Sequence, residues 1–186
     1  MSLFQSVNTG KAVLKLTQLQ NKYQIALLSA FAIGIHSIEN LLPSPIPWLR
    51  FGFANIITLI ALYIYGFRAA FTVTLIRTFI SSLINGTFPG PAYLMSLGGG
   101  IAATISMWLI IYLIPHLFSA VGISVIGAFF HNTIQIFIAY LLLIQCLEPV
   151  ILVSPLIILA GTIAGTINGI VAEFVIANLK NQLKPT

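Results

Sequence analysis

Between Thr78 and Leu147 the chain carries no Asp, Glu, Lys or Arg, and the last charge before that stretch is Arg77, inside an apolar run. A water-soluble fold does not keep so long a segment free of charge, because globular domains average about 25% charged residues. The segment is expected to be solvated by lipid. Arg77 is then a cation at membrane depth, where ionisable groups are costly and face the protein interior.

Over all 186 residues, 6% are charged and 59% hydrophobic, with apolar runs from end to end. This predicts an all-α, polytopic membrane protein of one domain. A spanning helix needs about 20 mostly apolar residues. Six candidate spans follow: Tyr23 to Leu42, Phe51 to Tyr65, Ala69 to Ile84, Ala92 to Ile114, Ser119 to Ile144 and Val150 to Leu179. The second is short. Pro43, Pro45 and Pro47 end the first span, Asn85 to Pro91 is turn-rich, and Cys146 to Pro149 reads as the last connection. The implied organisation is an N-terminal segment (1–22), a six-helix domain (23–179) and a short tail (180–186).

Lys11, Lys15, Lys22, Lys180 and Lys184 lie at the two ends, so the net charge of +5 marks cytoplasmic termini rather than nucleic-acid binding. A bacterial cytoplasmic membrane is the expected location, with lipid headgroups as neighbours. Residues 1–21 are mostly polar and do not read as a secretory leader. The lone Cys146 offers neither a disulfide nor a metal site.

The acids are Glu39, Glu148 and Glu173 only, and there is no Asp. Diphosphate chemistry through Mg²⁺ needs clustered carboxylates, which these cannot form. No phosphate-binding loop of the G-x-x-x-x-G-K-[ST] type exists, and His36, His116 and His131 lack metal-ligand spacing. Neither an enzyme nor a bound cofactor or metal is expected.

What remains is a set of polar groups at depth. His36, Glu39 and Asn40 share a face of span one by i, i+3, i+4 spacing. Asn55 lies on span two, Arg77 on span three, His131, Asn132 and Gln135 on span five, and Asn168 on span six. Most fall in the outer half of the bilayer, beneath the loop from Pro43 to Arg50. The expected site is an outward-opening cavity holding a small molecule by Glu39, Asn40, Arg50, Asn55, Arg77, His131, Asn132 and Gln135. One buried Arg suits an anionic ligand group, and 13 Phe with 6 Tyr leave room for a ring or prenyl tail. The alternative is a structural network, such as Arg77 paired with Glu39. Small residues on span one (Ala26, Ala30, Gly34) and span six (Gly161, Gly165, Gly169) mark close helix packing. Gly98-Gly99-Gly100 is placed at the opening of span four and is not a phosphate loop.

Several segments together resemble the Gx transporter family, also called heptaprenyl diphosphate synthase component I. They are Ile38-Glu39-Asn40-Leu41-Leu42-Pro43, Arg50 to Leu59, Leu75-Ile76-Arg77, Gly122 to Ala128 with His131-Asn132, and Leu159-Ala160-Gly161. That family is similar to the substrate-binding S components of energy-coupling factor transporters. The resemblance implies six helices, cytoplasmic termini, an outward pocket roofed by the loop after helix one, and an Ala-x-x-x-Ala motif that docks a membrane coupling protein with its ATPases. Ala26-Leu27-Leu28-Ser29-Ala30 matches that motif. The implied function is substrate capture for an importer, without chemistry of its own. The alternative is a non-catalytic membrane partner of prenyl diphosphate or quinone synthesis, or of an electron-transfer assembly.

Overall fold

The computed structural model describes residues 22–39, 52–114 and 117–182. Among these the regular structure is helical. Residues 22–39 form α1, followed by α2 (Asn55–Tyr65), α3 (Phe67–Ile84), α4 (Pro91–Leu113), α5 (Ala120–Ala139) and α6 (Leu147–Gln182). Tyr140–Ile144 continues α5 as a π-helical turn. This is the six-helix membrane bundle expected from the hydropathy. Helices α3 to α6 are each long and apolar enough to cross a bilayer.

Helix α2 is not. Its 11 residues rise about 16 Å, roughly half the hydrocarbon thickness. Span two was expected to begin at Phe51. Instead the segment from Gly52 to Ala54 is a turn, and helix starts only at Asn55. At its other end Gly66 alone links α2 to α3, with φ of +84°, a conformation that favours glycine.

Helix α6 corrects a second boundary. The residues Leu147 to Pro149, expected to be loop, form its first turn. Proline is tolerated there because the first amide hydrogens of a helix have no internal partner. The helix runs 36 residues, about 54 Å. Pro155 lies inside it and lacks the N–H that would bond the Ile151 carbonyl. The Ser154 hydroxyl donates to that carbonyl at 3.2 Å, which re-satisfies it.

The two halves of the bundle differ in chemistry. Near Lys22 and the C-terminal end of α6, the interior is apolar: Ala32, Leu59, Ala70, Val73, Met107, Ile123, Ala172 and Ile176 form one cluster. The other half carries the polar side chains. Between them, three fully buried threonines join α2, α3 and α4. Thr58 and Thr74 hydroxyls lie 3.1 Å apart, and Thr74 and Thr104 lie 3.0 Å apart. Hydroxyl pairs of this kind hold helices together where lipid gives no hydrophobic drive.

The small residues act as the sequence suggests on α6. A Cβ on Gly161 would run into the Asn132 amide, one on Gly165 would meet Ala128 Cβ at 2.8 Å, and one on Gly169 would meet Val121 Cα at 2.5 Å. This stripe lets α5 and α6 lie against each other. Gly98 to Gly100 do not open α4. They lie well inside it, since the helix starts at Pro91.

Candidate functional site

The turn before α2 organises the polar half. Backbone N–H and C=O groups outside a helix are tolerated at membrane depth only when the protein satisfies them. The Glu39 carboxylate, at the end of the described part of α1, does so. It accepts the Gly52 N–H at 2.6 Å and the Phe53 N–H at 3.2 Å. The Gly52 carbonyl accepts the Asn55 N–H at 2.9 Å and the Asn168 amide of α6 at 3.1 Å. Gly52 is buried with φ of +72°, and a Cβ there would lie 3.0 Å from Asn55 Nδ2. Glycine is needed both for conformation and for this close approach.

Arg77 points inward. It is 2% exposed, and its Nη2 donates to Asn55 Oδ1 at 2.6 Å. Gly100 of α4 makes room for it: a Cβ at that position would stand 3.4 Å from the guanidinium. A guanidinium cannot be neutralised in a protein, so it needs acceptors wherever it is buried. The neighbouring Gly99 makes room for His131, whose Nδ1 would lie 2.9 Å from a Cβ there. The same His131 ring faces the turn, with Cδ2 3.9 Å from a Cβ on Gly52. The glycines of α4 are thus a seam that admits one cation and one imidazole into the bundle.

Asn132 packs on Gly161, and Gln135 lies one turn beyond His131 on the same buried face of α5. All three α5 side chains are buried. On α1, His36 is buried and its Nε2 lies 3.3 Å from the Ser96 hydroxyl of α4. Four buried polar atoms in this half find no hydrogen-bond partner among the described residues: Ser37 Oγ, Ser81 Oγ, Gln135 Nε2 and Asn168 Oδ1. Such atoms are rare in finished structures and call for a water, an ion or a ligand.

The structure therefore gathers Glu39, Asn55, Arg77, His131, Asn132 and Gln135 into one half of the bundle. Asn40 and Arg50, with the segment from Pro43 to Arg50 expected to roof the cavity, lie outside the described residues. Glu39 has a role that the sequence does not reveal: it holds the backbone turn that starts α2. Asn168 joins the set although its spacing gave it no partner. The available signal was its place on the buried face that carries Gly161, Gly165 and Gly169. Ala26 and Ala30 are exposed on α1. Ala30 and Gly34 form, with Leu27, Phe31, Ile35 and Ile38, an apolar groove of about 360 Å³ open to the surroundings.

A family model described as heptaprenyl diphosphate synthase component I matches residues 28–175. No curated protein matches the sequence significantly. Among solved structures, the chain is similar to the S component of a bacterial ECF transporter, with a TM-score of 0.73 and 21% identity. The likeness covers 90% of this chain and 99% of that one, and at this identity it is a likeness of fold.

Proposed function

This chain belongs to the heptaprenyl diphosphate synthase component I family, and from that premise we propose that it is the substrate-binding membrane subunit of an energy-coupling-factor-type importer. The carrying observation is the polar half of a bundle that shares its fold with an S component. There a buried guanidinium, an imidazole and four side-chain amides sit together, and the Gln135 and Asn168 amides keep unused hydrogen-bonding atoms. A bundle needing only stability gains nothing by leaving such atoms unpaired. A ligand supplies the missing partners. Glu39, Asn55, Arg77, His131, Asn132 and Gln135 form the site, with Asn40 and Arg50 added from the segment that follows α1.

The protein captures its ligand on the extracytoplasmic side of a bacterial cytoplasmic membrane, with both termini inside. Energy comes from partner ATPases through a membrane coupling protein seated on α1 at Ala26 and Ala30. The exposed groove at Ala30 and Gly34 supports that placement, because small residues allow helices to approach closely in lipid.

The family's description favours a second reading, a non-catalytic membrane partner of prenyl diphosphate synthesis. With three separated glutamates and no aspartate, the chain lacks the carboxylates that a catalytic role would need. Purification from native membranes separates the two. Recovery of paired ATPases is expected. Recovery of a soluble prenyl synthase without them would overturn the import reading in favour of the second.

A further inference from the structure

A cavity lies between the end of α5 and the start of α6. It has a volume of about 220 Å³, and its walls include Ile136, Ala139 and Ile144 with Val150, Val153 and Ile157 of α6. The walls are aliphatic almost throughout. Ile136 follows Gln135 directly, and Ala139 lies one helical turn beyond it. Ile157 lies one turn before Gly161, which seats Asn132. Two of the lining residues, Ala139 and Ile157, thus stand one helical turn, about 5.4 Å along the axis, from Gln135 and from Gly161. Gln135 is 3% exposed, and its Nε2 has no hydrogen-bond partner among the described residues. The far wall is shaped by the π-helical turn Tyr140–Ile144, a feature that recurs at functional sites.

We propose that the ligand has two parts: a polar group accepting a hydrogen bond from the Gln135 amide, and an aliphatic arm filling the cavity between α5 and α6. This rests on the polar half being a ligand site. The cavity sets the size of the arm. An apolar cavity of about 150 Å³ holds a benzene ring, so by proportion this one takes about nine carbon atoms. Its aliphatic walls offer no stacking partner and no hydrogen bond, so a flexible or branched hydrocarbon fits them better than a polar ring.

The test uses the purified full-length chain and straight-chain primary alcohols of four to sixteen carbons, with affinities referred to free aqueous alcohol. Affinity is expected to rise about fourfold per added methylene and to stop rising near nine carbons. Val153→Phe, or Val150→Phe if the first variant folds poorly, should move that limit to shorter chains. Gln135→Leu should weaken the whole series by about fivefold to tenfold and leave the limit in place. Affinity climbing without limit to sixteen carbons in all variants would mean an acyl-chain groove on the outer surface, and would overturn the proposal. So would a limit that neither valine variant moves in folded protein. If no alcohol binds at all, the ligand-site reading falls with the proposal. If short alcohols bind and Gln135→Leu weakens them, but length adds nothing, only the two-part ligand falls.

Discussion

Arg77 of α3 reaches across the bundle to Asn55, the first residue of α2, and the 2.6 Å contact puts a permanent cation beside the start of a helix. A helix N-terminus repels a cation, since its partial charge is positive. The arrangement is stable only with acceptors close at hand. Glu39 of α1 lies against the turn that starts α2, bonded to the Gly52 and Phe53 amides. A fixed positive side chain, a buried carboxylate and a backbone turn thus lie within one small region.

Asn55→Leu should remove an acceptor from a buried charge. Hydrogen bonds to charged groups contribute about 1.5–3 kcal/mol, so a loss of that size is expected in detergent unfolding measurements. Asn55→Asp should be better tolerated, because it keeps the acceptor and adds an opposite charge.

Glu39→Ala should unsettle the turn before α2. The buried Gly52 amide hydrogen would lose its acceptor at a cost of about 1–3 kcal/mol, and the half-buried Phe53 amide would lose its acceptor as well. Glu39→Gln keeps one carbonyl oxygen and should fall between wild type and alanine. Hydrogen exchange at Gly52 and Phe53 checks the cause directly, with fastest exchange in the alanine variant.

Two glycines should respond in opposite ways to alanine. Gly161→Ala sets a Cβ against the Asn132 amide and should destabilise by about 1–3 kcal/mol through overpacking. Gly34→Ala meets nothing within 4 Å and should leave stability unchanged or raise it slightly. Thermal unfolding of the two variants measures the contrast.

Ala30→Trp fills the groove on α1 without touching the polar half. Ligand binding should be unchanged, and recovery of ATPase partners and transport should be lost. Transport that survives in a folded Ala30→Trp protein would remove α1 as the docking face.

Hydropathy alone located most of the architecture. The expected span Ala92 to Ile114 differs by one residue at each end from Pro91–Leu113, and Ala69 to Ile84 differs from Phe67–Ile84 only at its start. Lipid makes this possible, since every residue of a spanning segment must satisfy its backbone inside the helix. The errors fall where a residue has two readings. Pro149 reads as a breaker, yet in the first turn of α6 it breaks nothing. Gly98 to Gly100 read as a helix opening, yet they make room for His131 and Arg77 in mid-helix.

The polar set was legible for a similar reason. Polar residues are so few in the apolar runs that His131, Asn132 and Gln135 stand out by composition. Their partners do not. Nothing in the spacing of Glu39 says that it holds a turn thirteen residues on. That link depends on how α2 packs against α1, which is a property of the folded bundle. The contact between Asn168 and Gly52 joins residues 116 positions apart and is equally invisible to any local pattern.

Mass spectrometry of small molecules released from the purified protein tests the central claim most directly. Wild-type protein from native membranes is expected to carry one compound near equimolar amount, and folded Arg77→Ala and Asn132→Ala proteins to have lost it. Equal amounts of that compound in all three folded proteins would contradict the claim that the polar half of this bundle is where the ligand sits.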